Sequence, residues 1–324
     1  MRMELRRDQE DDIACIIHDE FMYFSEAVAT SLKLPSIILR TTSAATSLAR
    51  PTIVQLQAEG RIPLLVHTYD IRTSSAIVWN TIDCLEPSTL AHIQRQSQVR
   101  VLPLGPIYKF APASSCGSLL DEDTSCVEWL GKQTKNSVIY VSLGSLASVD
   151  DKELAEIAWG LANSKQPFLW VVRQGSIRGS QWIEVLPEVL RETLGERGCI
   201  VKWAPQKEVL AHEAVGGFLS HCGWNSTLES ISEGIPMICR PCFGDQRVNT
   251  RYVTHVWRVG LELEDELERG DIERAVRRLL VGNEGEAMRE RARNLKEKVE
   301  VCIREGGSSN NYLNRLVEMI MSLK

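Results

Sequence analysis

The stretch "HCGWNSTLES", residues 221–230, crowds a His, a Trp, an Asn, two Ser, a Thr and a Glu into ten positions. An apolar, strand-like run ending in Phe218 and Leu219 leads into it, and a helical pattern follows. A helix that begins near Ser226 presents backbone N–H groups and a partial positive charge at its start. With small hydroxyl residues there, the turn suits a pyrophosphate. The same residues allow another reading. Ser226-Thr-Leu-Glu229 has the spacing of a capping box, which would satisfy the helix internally.

Neighbouring motifs extend the chemistry. Trp203-Ala-Pro-Gln206 follows an apolar run, which puts an indole at a strand end, where its face can stack on a nucleobase. Gln206 has a donor and an acceptor to match a base edge, and Glu229, if not spent on a cap, can accept both hydroxyls of a ribose. Asp245 and Gln246, after another strand, pair a carboxylate with an amide, a combination suited to vicinal sugar hydroxyls.

The elements that position these residues read as alternating strands and helices. In the first half, strand-like runs fall at Ile13–Ile17, Ser36–Leu39, Ala76–Trp79 and Val99–Leu102. Helical stretches span Phe24–Leu34, Thr42–Gly60 with a break at Pro51, and Ser88–Gln96. In the second half, strands are expected at Val138–Ser142, Phe168–Val172, Cys199–Lys202, Gly217–Ser220, Pro236–Cys239 and Val259–Leu263. Ser148 is expected to cap the helix that carries Leu154, Ile157 and Leu161. This is an α/β chain with open, doubly wound parallel sheets, whose ligands bind beyond the carboxyl ends of the strands. A last amphipathic helix follows Gly307, with Leu313, Leu316, Val317, Ile320 and Met321 on one side.

Bulk properties exclude several classes. The 324 residues carry 37 Lys and Arg against 43 Asp and Glu, a net charge of −6, so no nucleic-acid partner is expected. No apolar run is long enough for a membrane span, and the start lacks a secretory h-region. Nine widely spaced cysteines, an odd number, read as reduced thiols in the cytoplasm. Cys239-x-x-Cys242 lacks a second ligand pair, and Asp121-x-Asp123 sits in an acidic linker, so packing and solvation explain them without a metal. The fingerprints G-x-G-x-x-G and G-x-x-x-x-G-K-[ST] are missing, which removes the support for a nicotinamide oxidoreductase or a P-loop hydrolase.

In order, Trp-Ala-Pro-Gln, His-Cys-Gly-Trp-Asn-Ser, Glu-Gly-Ile-Pro and Asp-Gln between Trp203 and Gln246 resemble the signature box of plant family-1 UDP-glycosyltransferases. The resemblance runs from "HDEFMYFSEAVATSLKLPSIILRTTSA" through "VIYVSLGS" to "GGSS". It implies a glycosyltransferase-B fold of two Rossmann-like doubly wound domains, the N-terminal one incomplete. The implied division is 1–112 on the acceptor side, a linker at 113–125, a UDP-sugar domain at 126–306, and a helix at 307–324 that returns to the N-terminal domain.

The resemblance assigns Trp203 to the uracil, Gln206 to the nucleoside and Glu229 to the ribose. His221, Asn225 and Ser226 take the diphosphate, with Ser145 near it; Trp224, Asp245 and Gln246 surround the sugar, and Gln246 is found in members that use glucose. It implies inverting transfer from a UDP-sugar co-substrate to a hydroxyl or carboxyl of a small apolar acceptor in plant secondary metabolism, with no cofactor and no essential metal. Asp19 matches the carboxylate that orients the catalytic His, but that His precedes the region this chain matches. His18 is a poor substitute, because neighbours on a strand point to opposite faces. His67, His92, His212 and His255 carry no motif. The alternative is a non-catalytic UDP-sugar-binding fragment or pseudoenzyme. The run Ile13–Ile17 is expected to form an exposed edge strand.

Overall fold

The structure is a computed structural model that describes residues 13–22, 24–61, 74–111, 120–180, 182–195, 197–263 and 266–323. Most of the run at 111–119, and His67, lie outside the described residues. The chain divides into two compact units. The first draws on 13–44, 74–107 and 302–323, the second on 45–61, 108–111 and 120–301.

The first unit holds strands β1 (Ile16–Asp19), β2 (Ser36–Arg40), β3 (Ala76–Trp79) and β4 (Arg100–Pro103), all parallel and in that order. Helices α1 (Phe24–Leu32) and α3 (Pro87–Gln96) belong with them, whereas α2 (Ala44–Ala58), which follows β2 in the chain, falls in the second unit from Ala45 onward. The first strand starts three residues later than its apolar run suggests. The ladder opens with Ile16 N donating to the Pro35 carbonyl, so Ile13 to Cys15 precede the pairing. Among the described strands β1 is an edge, with Ile17 half exposed. Pro51 does not break α2 as expected; it lies inside the helix. A proline removes a single amide donor, and the fifteen-residue helix continues on both sides of it.

In the second unit, α4 (Ser125–Leu130) is the first helix after residue 120, so the expected linker gives way to a helix at its last residue. The elements that follow are β5 (Val138–Ser142), α5 (Asp151–Ser164), β6 (Phe168–Val171), α6 (Glu188–Gly195) and β7 (Gly198–Val201). Then come α7 (Gln206–Ala211), β8 (Val215–Ser220), α8 (Trp224–Ser232), β9 (Met237–Cys239), α9 (Gln246–Arg251), β10 (Gly260–Glu262), α10 (Arg269–Leu280) and α11 (Asn283–Ile303). The six parallel strands run β10-β9-β8-β5-β6-β7. The chain winds outward from β5 in one direction and from β8 in the other. The loops after β5 and β8 therefore diverge and leave a crevice at the switch point.

Alternation along β5 sorts its side chains. Ile139 and Val141 join the core with Leu154, Ile157 and Leu161 of α5 and Ile272, Val276 and Leu279 of α10. Tyr140 and Ser142 point to the opposite face. Asp150, not Ser148, caps α5. Asp150 has extended dihedrals, its carboxylate accepts from Glu153 N (2.8 Å), and Glu153 accepts from Asp150 N (3.1 Å). Ser148 is two residues too early for that reciprocal pair.

The last helix, α12 (Ser308–Ser322), belongs to the first unit. Leu316 is buried with Ile37, Ala76, Val78, Leu102 and Leu104, flanked by Tyr312, Met319 and Ile320. Ser309 Oγ donates to the Gly105 carbonyl (2.7 Å). Val317 and Met321 face outward, contrary to expectation. The buried stripe follows 312, 316, 319 and 320, and 317 and 321 lie a further ~100° round the helix from 316 and 320.

Candidate functional site: the β5–β8 crevice

β8 ends at Ser220, and the chain turns through His221, Cys222 and Gly223 into α8. The turn requires a left-handed residue, and Cys222 takes it at φ 61°. Such a conformation persists in a non-glycine residue when its surroundings over-determine it. Here Ser220 Oγ accepts from Cys222 N (3.1 Å), and the Cys222 carbonyl accepts from Asn249 Nδ2 (3.0 Å). Asn249 is itself held by Asp245 Oδ2 (2.9 Å).

The His221 ring lies between two glycines. A Cβ on Gly144, which follows β5, would sit 2.6 Å from the ring, and one on Gly223 would sit 2.5 Å from it. No other residue fits at either place without moving the imidazole. Nδ1 is buried and makes no hydrogen bond of good geometry among the described residues. Burial pushes the imidazole pKa down to about 4, against a smaller pull from the Ser142 backbone. At neutral pH the ring is uncharged, a hydrogen-bonding group held rigidly at the crevice.

The capping-box reading of Ser226 and Glu229 is overturned. The helix begins at Trp224, two residues earlier, and its N-cap is Gly223, which has no side chain to accept a hydrogen bond. Ser226 therefore lies within the first turn, with helical dihedrals that a capping residue does not adopt. Glu229 turns instead toward α7, where its Oε2 accepts from Gln206 Nε2 (2.6 Å). The same nitrogen reaches Ser226 Oγ (3.0 Å). Burial raises the Glu229 pKa, and the Gln206 hydrogen bond and the Lys207 charge oppose that shift. A helix start without a side-chain cap, beside a buried carboxylate, offers an anion site next to an acceptor for hydroxyls.

The remaining candidates fall at strand ends of the same sheet, with one exception. Trp203 follows β7 half-buried, and its carbonyl accepts from Asp123 N (3.0 Å). Ser145 is exposed in the turn after β5, and Asn225 is exposed in the first turn of α8. The Trp224 indole is buried beside Trp257, with ring centroids 6.3 Å apart. Gln246 spends its amide oxygen on Cys242 N (2.7 Å) and Phe243 N (3.0 Å), which pins the loop after β9 and leaves its amide nitrogen for other partners. The exception is Asp19, which lies in the first unit at the end of β1.

Other residues resolve into structural roles. Asp123 Oδ1 accepts from Ser125 N (3.0 Å) and Ser125 Oγ (2.5 Å), so it serves the start of α4. The described cysteines are free thiols. Among the described residues no group of three or more His, Cys, Asp or Glu could hold a metal. Two further contacts join residues far apart in the sequence. Tyr140 on β5 brings its hydroxyl 3.2 Å from Gln206 Oε1. Arg240 donates to Glu153 Oε1 (3.0 Å), tying the loop after β9 to the capped end of α5.

A uridine-diphosphate-sugar transferase is the class of protein that this fold and crevice define, and comparison with known proteins agrees. Residues 103–290 match the family model described as UDP-glucoronosyl and UDP-glucosyl transferase. UDP-glycosyltransferase 76E1 of Arabidopsis thaliana is 49% identical over 98% of this chain and 78% of its own length. Flavonol 3-O-glucosyltransferase UGT76E12 of the same plant is 48% identical over 99% of this chain and 78% of its own length. The structure of Phytolacca americana UGT2 complexed with UDP-2fluoro-glucose and pterostilbene matches with TM-score 0.80 and 29% identity, over 95% of this chain and 76% of that one. Os79 from O. sativa in complex with UDP gives TM-score 0.80 and 29% identity, over 96% and 78%. The chain belongs to the plant family-1 UDP-glycosyltransferases, inverting enzymes of glycosyltransferase-B fold that use a UDP-sugar as co-substrate.

Proposed function

We propose that the chain transfers glucose from UDP-glucose to a hydroxyl or carboxyl of a small apolar acceptor, through the residues at the crevice. The observation that carries this reading is His221 seated between Gly144 and Gly223, beside the uncapped start of α8. In this reading Trp203 stacks on the uracil, Glu229 accepts from the ribose, and His221, Asn225, Ser226 and Ser145 hold the diphosphate. Asp245, Gln246 and Trp224 surround the sugar. As the leaving diphosphate gains charge, the neutral imidazole and the helix start stabilise it without rearranging. The acceptor oxygen attacks the anomeric carbon from the opposite face as the bond to the diphosphate breaks, and a hydroxyl acceptor gives up its proton to a general base or to water. Glucose and a phenolic acceptor are supported by the printed names of relatives: a flavonol glucosyltransferase, and a structure with a fluoro-glucose donor and pterostilbene. We assign 1–112 to the acceptor side, 113–125 to a linker, 126–306 to the donor and 307–324 to the returning helix. Among the described residues no helix is long and apolar enough to cross a membrane, and the free thiols fit the reducing cytoplasm.

Calorimetric titration with UDP tests the donor side. Trp203→Ala is expected to weaken UDP about tenfold through loss of stacking. Glu229→Gln is expected to weaken it by a similar factor, because the ribose hydroxyls lose a charged acceptor. Unchanged affinity in both variants would overturn the assignment.

A second reading, a chain that holds the UDP-sugar without transferring it, is favoured by the surroundings of Asp19. The Asp19 carboxylate accepts from Phe21 N (2.9 Å) and Thr41 Oγ1 (3.3 Å), and among the described residues no His bonds to it. His18 is buried: its Nδ1 donates to the Asp19 carbonyl (3.0 Å), and its Nε2, the nitrogen left to accept a proton, is buried with no hydrogen-bond partner among the described residues, which disfavours it as base. Supplying UDP-glucose with a panel of phenols separates the two readings: turnover at the level of full-length relatives excludes the second, and donor binding without turnover excludes the first.

A further inference from the structure

Gln206 stands between the two groups assigned to ribose and phosphate, and its neighbours dictate which way its amide points. Nε2 faces Glu229, donating to its Oε2 at 2.6 Å. Oε1 then faces the Tyr140 hydroxyl at 3.2 Å, and the phenol must donate. The second amide hydrogen goes to Ser226 Oγ at 3.0 Å. Because that oxygen accepts from Gln206, the Ser226 proton is left to be donated elsewhere. The circuit thus ends in an acceptor at Glu229 and a donor at Ser226. Those are the polarities that ribose hydroxyls and a phosphate oxygen require.

We infer that Tyr140 is a positioning residue for the donor site: its hydroxyl fixes the Gln206 amide, and through it presents Glu229 to the ribose and Ser226 to the phosphate. This rests on the donor reading proposed above. Packing alone does not call for the hydroxyl. The ring is buried on β5, paired in register with Phe218 of β8 and stacked on it at 4.9 Å and 22°, a place that phenylalanine would fill equally well. A buried hydroxyl is costly unless hydrogen-bonded. Burial and the Glu229 charge raise the phenol pKa, so it stays a donor at neutral pH. The Ser142 hydroxyl, on the same face of β5, opposes that rise.

The test measures binding of UDP and of 2′,3′-dideoxyuridine diphosphate, which lacks both ribose hydroxyls, to the full chain. The wild-type chain is expected to prefer UDP about tenfold. Tyr140→Phe keeps the ring and its stack and is expected to reduce that preference to about twofold, with little further loss when combined with Glu229→Gln. A purely structural defect would weaken both nucleotides alike and leave the ratio intact. Gln206→Met, at the partly exposed start of α7, breaks the same circuit outside the core and should lower the ratio likewise. If Glu229→Gln abolishes the preference and neither Tyr140→Phe nor Gln206→Met lowers it, the positioning role is wrong and the ribose reading stands. If Glu229→Gln leaves the preference intact, the ribose reading fails and takes this inference with it.

Discussion

Gly144→Ala is expected to weaken UDP binding about a hundredfold and to lower the melting temperature, although the residue need not touch the nucleotide. Two penalties combine. Gly144 has φ +79°, where an L side chain is strained, and its Cβ would lie 2.6 Å from the His221 ring. The ring cannot retreat, because Gly223 closes on its other side. Left-handed strain and overpacking together amount to on the order of 2–3 kcal/mol. Relief requires the imidazole to leave its slot, and a loss of this size in binding corresponds to about a hundredfold. The expected fall in melting temperature is about 5–10 °C. Gly175→Ala is the control: it also has positive φ, but nothing lies near its added carbon, so only the strain remains. Equal losses of UDP affinity in the two variants would refute the slot.

The second large effect is on stability in acid. In the folded chain the His221 pKa is depressed to about 4, below its value in the unfolded chain of about 6.5. Above the unfolded value neither state is protonated there, and the residue adds no pH dependence. As pH falls below that value the unfolded chain takes up a proton that the folded chain refuses. Stability is therefore lost progressively down to the folded pKa, by about 3 kcal/mol, and the loss then levels off. Urea denaturation at pH 7 and pH 4.5 should show this drop in the wild-type chain and a smaller one in His221→Gln. The difference between the two chains isolates the histidine from carboxylates that titrate in the same range. Equal drops would mean that the ring is not desolvated as described.

Much of this was legible in the amino-acid order, for identifiable reasons. Strands buried in a parallel sheet read as short apolar runs, so Val138–Ser142 and Ala76–Trp79 emerge with their observed bounds. The crevice residues lie close together along the chain, because a strand–turn–helix unit delivers them from one side of a sheet. What was hidden depends on distant partners. Ser226 and Glu229 have the spacing of a capping box and equally that of two residues one turn apart inside a helix, and only the arrival of Gln206 decides between them. Nothing in "VIYVS" shows which face Tyr140 takes, or that a glutamine from another βα turn awaits its hydroxyl. The slot for His221 is closed by Gly144 from a different loop, a pairing made only by strand order. At Pro51 and Ser148 the local preference for a helix edge is outweighed by the length of one helix and a better cap in the other.

The return of α12 to the sheet of β1–β4 orders events during synthesis. Leu316 and Ser309 complete a layer whose strands were translated roughly two to three hundred residues earlier. Proteins emerging from the ribosome generally consolidate from the amino end. Here the six-stranded sheet can close while the earlier-made strands still wait for their last cover, so the first unit is completed only once the final helix has been made.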